Sequence, residues 1–242
     1  MSEASEATLQ NVQSVLQQVD ETLKVEKGLL RFLINNVGMG WGGKCRLGDI
    51  DESTLERIEE IVAVNCSYPV LLTRAVLKHL RQRAREYTAD ESVAIINLAS
   101  CAALTPATPF SALYAATKAF NRSFSNSLAG EVEARRLLHP ERPMPEIQVL
   151  CVSPGFVVSN MTGMKESLWC CSARAHAQVV LKKLSAWPAG LAADIIPHWK
   201  HGLMWSVLFF MEFLIPAEWI LVSFVMPSVL KFSGRFRNFK IG

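Results

Sequence analysis

Leu9, Val12, Leu16, Val19 and Leu23 recur at spacings of 3, 4, 3 and 4. That is the period of an amphipathic helix, expected over roughly 4–24. The next apolar run, LLRFLI at 29–34, is continuous and stops at NNVGMGWGG, whose asparagines and glycines interrupt regular structure. It reads as a buried strand followed by a loop. A long helical stretch starts at the capping residues of 51–54 and reaches about Arg85. VAIINL at 93–98 is a second strand, 111–136 a further helix, and IQVLCV at 147–152 a third strand ending in SPG.

Alternation of helix and strand predicts an α/β fold with a doubly wound parallel sheet. The strands are apolar almost throughout, as strands buried on both faces are. Right-handed crossovers would bring the loops after the strands to one edge, where such sheets bind ligands. NNVGMG, ASCAA and SPGFVVS all fall there.

Residues 202–230 are different in kind. The stretch is long and apolar enough for a bilayer, but Glu212, Pro216, Glu218 and Pro227 interrupt it. An amphipathic or partly inserted helical hairpin fits better than one spanning helix. The alternative is a segment packed over the domain's own pocket. The basic end, KFSGRFRNFK at 231–240, suits anionic lipid headgroups. The chain therefore divides into an α/β unit over 1–200 and an apolar, membrane-associated segment over 201–242.

Composition narrows the classes further. Half the residues are apolar and the net charge is only +3, which gives no basis for nucleic-acid binding. The six cysteines show neither CxxC pairs nor regular spacing, so reduced thiols are expected. The polar, acidic N-terminus is unlike a signal peptide. His198 and His201 lack an evident third ligand, and no metal site is expected.

Tyr114 and Lys118 in LYAATKA are four residues apart, which places both on one helical face with Cβ atoms about 5–6 Å apart. With 3 tyrosines in the chain, such a pair carries no weight alone. Its context changes that. NNVG at 35–38, Asn65 in AVNCSYPVLLT, Ser100 in NLAS, YAATK at 114–118 and PGFVVS at 154–159 occur in this order, each at its place in the α/β pattern. Over about residues 5–165 the chain resembles the short-chain dehydrogenase/reductase family. NNVGMG and the tail are similar to the branch of 17-beta-hydroxysteroid dehydrogenases and very-long-chain 3-oxoacyl-CoA reductases.

The resemblance implies a Rossmann-like fold and reduction of a carbonyl, or the reverse oxidation, on a lipophilic substrate such as a 3-oxoacyl-CoA or a steroid. Tyr114 would be the general acid, its phenol lowered from a pKa near 10 by Lys118. Lys118 would also bind the nicotinamide ribose, Ser100 would steady the substrate oxygen, and Asn65 would hold a water relaying protons to Lys118. Asn35, Asn36 and Gly38, with Pro154, Gly155, Val157 and Ser159, would line the cofactor, Ser159 standing where the family usually has threonine. Tyr114 follows Ser100 by 14 residues, one more than is usual in the branch. The implied cofactor is NADP(H) rather than NAD(H). The implied setting is the cytosolic face of the endoplasmic reticulum membrane, with a cytoplasmic location as the alternative.

The family's TGxxxGxG turn does not occur before Gly38, and Gly28 is the only earlier glycine. The expectation is therefore an incomplete sheet, with the strand at 29–34 presenting a bare apolar edge. Poor solubility and weak or absent NADPH binding would follow. Three explanations stand: a piece of a longer reductase, a catalytically inactive truncated paralogue acting as a membrane-associated interaction protein, or a chain completed by a homo-oligomer or a partner.

Overall fold

The computed structural model describes residues 10–15, 17–19, 21–22, 28–40, 55–88, 91–104, 108, 111–139, 144–185 and 193–214. The expected capping residues 51–54, the apolar stretch beyond 214 and the basic end lie outside the described residues. So does Cys45.

The first helix, α1, is helical at 10–15, 17–19 and 21–22, with Val12 on its buried side. β1 (Phe32–Asn35) follows. The long helical stretch resolves into α2 (Leu55–Val62), a π-helical turn (Ala63–Ser67) and α3 (Tyr68–Gln82), with Pro69 tolerated in the first turn of α3. Then come β2 (Ser92–Leu98), α4 (Ala112–Leu138) and β3 (Glu146–Val152). β4 (Phe156–Val157) and β5 (Cys170–Cys171) form a small separate pair. α5 (Ala173–Ser185), β6 (Ala193–Ile195) and α6 (Trp199–Leu214) complete the described chain.

The main sheet is parallel, in the order β1-β2-β3-β6. One face packs Leu33, Val93, Ile95, Ile147 and Val149 under α1, α3 and α4. The other packs Ala94, Ile96, Leu150 and Val152 against Val180 and Leu184 of α5. Each layer buries a side-chain row from alternate strand positions, the arrangement that continuous apolar strands require.

β1 corrects the expectation of strands buried on both faces. Leu33 and Asn35 are buried, but Phe32 and Ile34 are 53% and 52% exposed. Register explains the difference: Phe32 and Ile34 lie beside Ala94 and Ile96, on the face that α5 covers only further along the sheet. Among the described residues β1 is also the edge strand.

Residues 56–82 are long and apolar enough by composition to cross a membrane. Within them α3 packs Leu72, Val76 and Leu80 on the sheet. α6 runs across the expected boundary at 200/201, and its His201 is buried against the preceding domain.

Candidate functional site

The loops after β1, β2 and β3 meet at the C-terminal edge of the sheet. Backbone bonds fasten the second to the third: Ala99 N–H donates to the Val152 carbonyl (2.8 Å) and Cys101 N–H to the Pro154 carbonyl (2.9 Å). Asn65 fastens the first. Its Oδ1 accepts from Met39 N–H (2.8 Å), while its Nδ2 donates to the Met39 carbonyl (2.8 Å) and to Thr117 Oγ1 (3.0 Å). The π-helical turn carries Asn65, which is fully buried; such turns add a residue and re-aim a side chain.

The water-holding role expected of Asn65 would then fall to its backbone rather than to its side chain. Both amide protons are spent on protein oxygens, so its side chain acts as a bolt between the loop at 38–40 and α4. Thr117, which in turn donates to the Tyr114 carbonyl (2.9 Å), is the partner that motif reading misses. No local signal marks it, because the contact joins residues 52 apart in the chain.

Lys118 is buried, and its Nζ donates to the Leu98 carbonyl at the end of β2 (2.9 Å). Its ammonium lies 5.8 Å from the Tyr114 ring centroid. Burial pulls its pKa down from 10.5 to about 8, with Cys66 and Cys151 pulling weakly the other way. Gly38 is matched to it: a Cβ there would lie 3.1 Å from Lys118 Nζ and 3.5 Å from Asn65 Oδ1. Only glycine allows this approach without displacing the lysine.

Tyr114 is half-buried at the start of α4, with the Ser100 side chain close enough to its phenol to favour the ionised form. Burial pushes the phenol above its ordinary value, and Ser100 offsets only part of that. The net shift of the phenol is thus upward rather than the lowering expected from Lys118, because burial outweighs the groups that favour phenolate. Ser100 also caps the short turn at 101–103 by accepting from Ala102 N–H (3.2 Å).

The expected cofactor-lining residues separate into groups. Asn35 faces the core, where its Nδ2 donates to Asn97 Oδ1 (2.7 Å) and Thr73 Oγ1 (3.1 Å). It braces β1 rather than lining a ligand surface. Asn36 turns outward, with its N–H on the Ile34 carbonyl (3.0 Å). The Val157 carbonyl accepts from Thr162 Oγ1 (2.8 Å), and exposed Ser159 closes a turn with Thr162 (Oγ–Oγ1 3.2 Å). Pro154 is tied to the Ser100 loop as described, whereas Gly155 lies directly under the His201 ring.

A nicotinamide ribose fits the donor set Tyr114–Lys118 beside Gly38, where a side chain would fill the space. It does not fit the face of Gly155 while the imidazole of His201 lies there. The chemistry open to the assembled residues is proton donation to an oxygen, from a protonated phenol backed by a serine hydroxyl and a buried ammonium.

A parallel α/β sheet with serine, tyrosine and lysine gathered at its C-terminal edge defines the short-chain dehydrogenase type of fold and site. The family model for short chain dehydrogenases matches residues 4–168, and the chain belongs to that family. A very-long-chain 3-oxoacyl-CoA reductase-like protein of Arabidopsis thaliana is 29% identical over 189 residues, covering 75% of this chain and 53% of its own length. The very-long-chain 3-oxoacyl-CoA reductase of Pyrenophora tritici-repentis is 27% identical over 185 residues, 75% of this chain and 48% of its own. The chain thus spans about half the length of the curated relatives it matches.

Among solved structures, the 3-ketoacyl-(acyl-carrier-protein) reductase of Brucella melitensis, complexed with NADH, superposes with a TM-score of 0.55 at 21% identity, over 81% of this chain and 75% of that one. A short-chain dehydrogenase of Sphingobium yanoikuyae in complex with NADPH gives 0.51 at 20% identity, over 75% and 63%. These likenesses establish the fold.

Proposed function

We propose that this chain carries the substrate-reducing half of a nicotinamide-dependent carbonyl reductase site, acting on a lipophilic 3-oxoacyl thioester such as a long-chain 3-oxoacyl-CoA. The observation that carries the reading is the meeting of Ser100, Tyr114 and Lys118 with Gly38 at the C-terminal sheet edge. The names of the two reductase relatives support the acyl-CoA over a steroid.

The cofactor, when bound, supplies the hydride. Everything else falls to side chains. Ser100 holds the substrate oxygen beside the Tyr114 hydroxyl. Tyr114, kept protonated at neutral pH by its burial, gives its proton to that oxygen as negative charge develops there. Lys118, still mostly protonated at pH 7, steadies the phenolate that remains and is placed to hydrogen-bond the ribose. NADP(H) is the proposed cofactor.

Membrane association at the cytosolic face of the endoplasmic reticulum follows from the same reading. α6 exposes Trp199, Leu203, Val207 and Phe210, spaced so that they share one helical face. A bilayer surface would cover that face and deliver a lipophilic substrate. The test is to assay the chain, alone and within the longest reading frame that contains it, with NADPH and a long-chain 3-oxoacyl-CoA or a 17-oxosteroid. Faster NADPH consumption with the acyl-CoA upholds the substrate class; preference for the steroid replaces it, and no consumption by either form rejects the reductase reading.

A further inference from the structure

His201 and Gly155 are packed closer than any side chain at 155 would permit. A Cβ on Gly155 would lie 2.6 Å from His201 Cγ, 2.7 Å from Nδ1 and 2.8 Å from Cδ2. The imidazole is 1% exposed, and its Nε2 is 2.9 Å from the Trp169 carbonyl oxygen. One turn further along α6, the Trp205 indole stands beside the Cys101 thiol. The inner face of α6 thus covers both loops that flank the site, the one after β2 and the one after β3.

Two features bear on how firmly α6 sits in this position. The inner face is poorly satisfied: His201 Nδ1 is buried without a hydrogen-bond partner, as are Nδ1 of His198 and of His176 on α5. The rings of His198 and His201 are 5.4 Å apart, yet no group of three metal-ligating side chains forms among the described residues. Unpaired buried polar atoms are costly, and lifting the helix would return them to water. The outer face, meanwhile, is the exposed apolar row that begins with Trp199 and Leu203. Among the described residues, the contacts that hold the helix include the ring on Gly155 and its bond to the Trp169 carbonyl.

We infer that His201 is a gate on the nicotinamide end of the site: its imidazole and a nicotinamide ring are alternative occupants of the Gly155 backbone face, and nucleotide binding lifts α6. This rests on the reading of the Pro154–Gly155 loop as the nicotinamide wall. The closed helix lowers apparent nucleotide affinity by the fraction of molecules in which it is shut. Removing the ring removes that handicap.

The experiment titrates the intact chain and His201→Ala with NADPH by nucleotide fluorescence, and follows backbone amide exchange over 202–210 in the unaltered protein. Exchange needs no variant to fold. The gate predicts that His201→Ala binds NADPH about tenfold more tightly. It also predicts that saturating NADPH speeds exchange across 202–210 in the unaltered chain. Equal or weaker binding by the variant, with exchange unchanged, overturns the gate and leaves the site reading intact. If neither protein binds NADPH, the gate falls and the site reading stands, because poor nucleotide binding is already expected without a TGxxxGxG turn.

Discussion

Gly38 and Lys118 are fitted to one another: a methyl group at position 38 would lie 3.1 Å from the lysine Nζ, which is itself held by the Leu98 carbonyl. Gly38→Ala must therefore move either the ammonium or the loop after β1. The expected cost in stability is about 1 kcal/mol, at the low end for overpacking. Carbonyl reduction should fall more than tenfold, since small misplacements of catalytic groups are disproportionately costly. Parallel melting and turnover measurements check this; an equal loss in both would make Gly38 merely structural.

Lys118 titrates at 10.5 when unfolded and at about 8 when folded. Between these values the unfolded chain holds a proton that the folded one has released, so stability rises with pH from about 8. Cys101 and Cys151, pushed from 9.0 up to about 12 and about 11, work the opposite way from about pH 8 upward, because their unfolded thiols ionise first. Between about pH 8 and pH 9 the lysine contributes a gain of about 1 kcal/mol, which the ionising thiols of the unfolded chain offset in large part. Urea unfolding at both pH values should show the unaltered chain changing by about 1 kcal/mol more favourably than Lys118→Met over that step, the thiols being common to both. Equal changes would mean the ammonium is not desolvated.

Asn65→Ala would leave the Met39 amide, the Met39 carbonyl and Thr117 Oγ1 without their partner. A loss of about 2–3 kcal/mol is expected for such orphaned buried groups. Faster amide exchange at Met39 should accompany it. If Asn65→Ala keeps its stability but loses activity, the side chain serves chemistry rather than the loop.

What the sequence reveals follows from how local each cause is. β2 and β3 are legible because their side chains are apolar on both faces. α4 is legible from its length and from the strands on either side. Tyr114, Lys118 and Ser100 are found by motif order and do come together. The part that escapes is set by distant contacts. The π-helical turn at Asn65 is set by its bonds to Met39 and Thr117 and has no residue signature. β6 is only three residues long; its Asp194 accepts from Ser153 Oγ (3.0 Å) and pairs with Arg122. Asn35 looks like a cofactor ligand within NNVG, yet Thr73 and Asn97 claim its amide. Gly155 is read as room for a nicotinamide, and only the fold places His201 against it.

Phe32 and Ile34 stand on the uncovered side of the edge strand β1. Replacing both with serine should reduce self-association while leaving the melting temperature within a few degrees, because little burial is lost. Light scattering across a concentration series checks this. A large drop in melting temperature would show that both side chains are covered in solution.

Tyr114→Phe removes the proton donor and leaves the ring against Gly40 and the lysine in place. The most direct measurement compares NADPH-dependent reduction of a long-chain 3-oxoacyl-CoA by the two proteins, alongside their NADPH affinities. A fall of at least about a hundredfold in rate, with affinity changed less than about threefold, is the result expected of a general acid. An unchanged rate would show that the proton comes from elsewhere and that the site described is not the one that reduces the carbonyl.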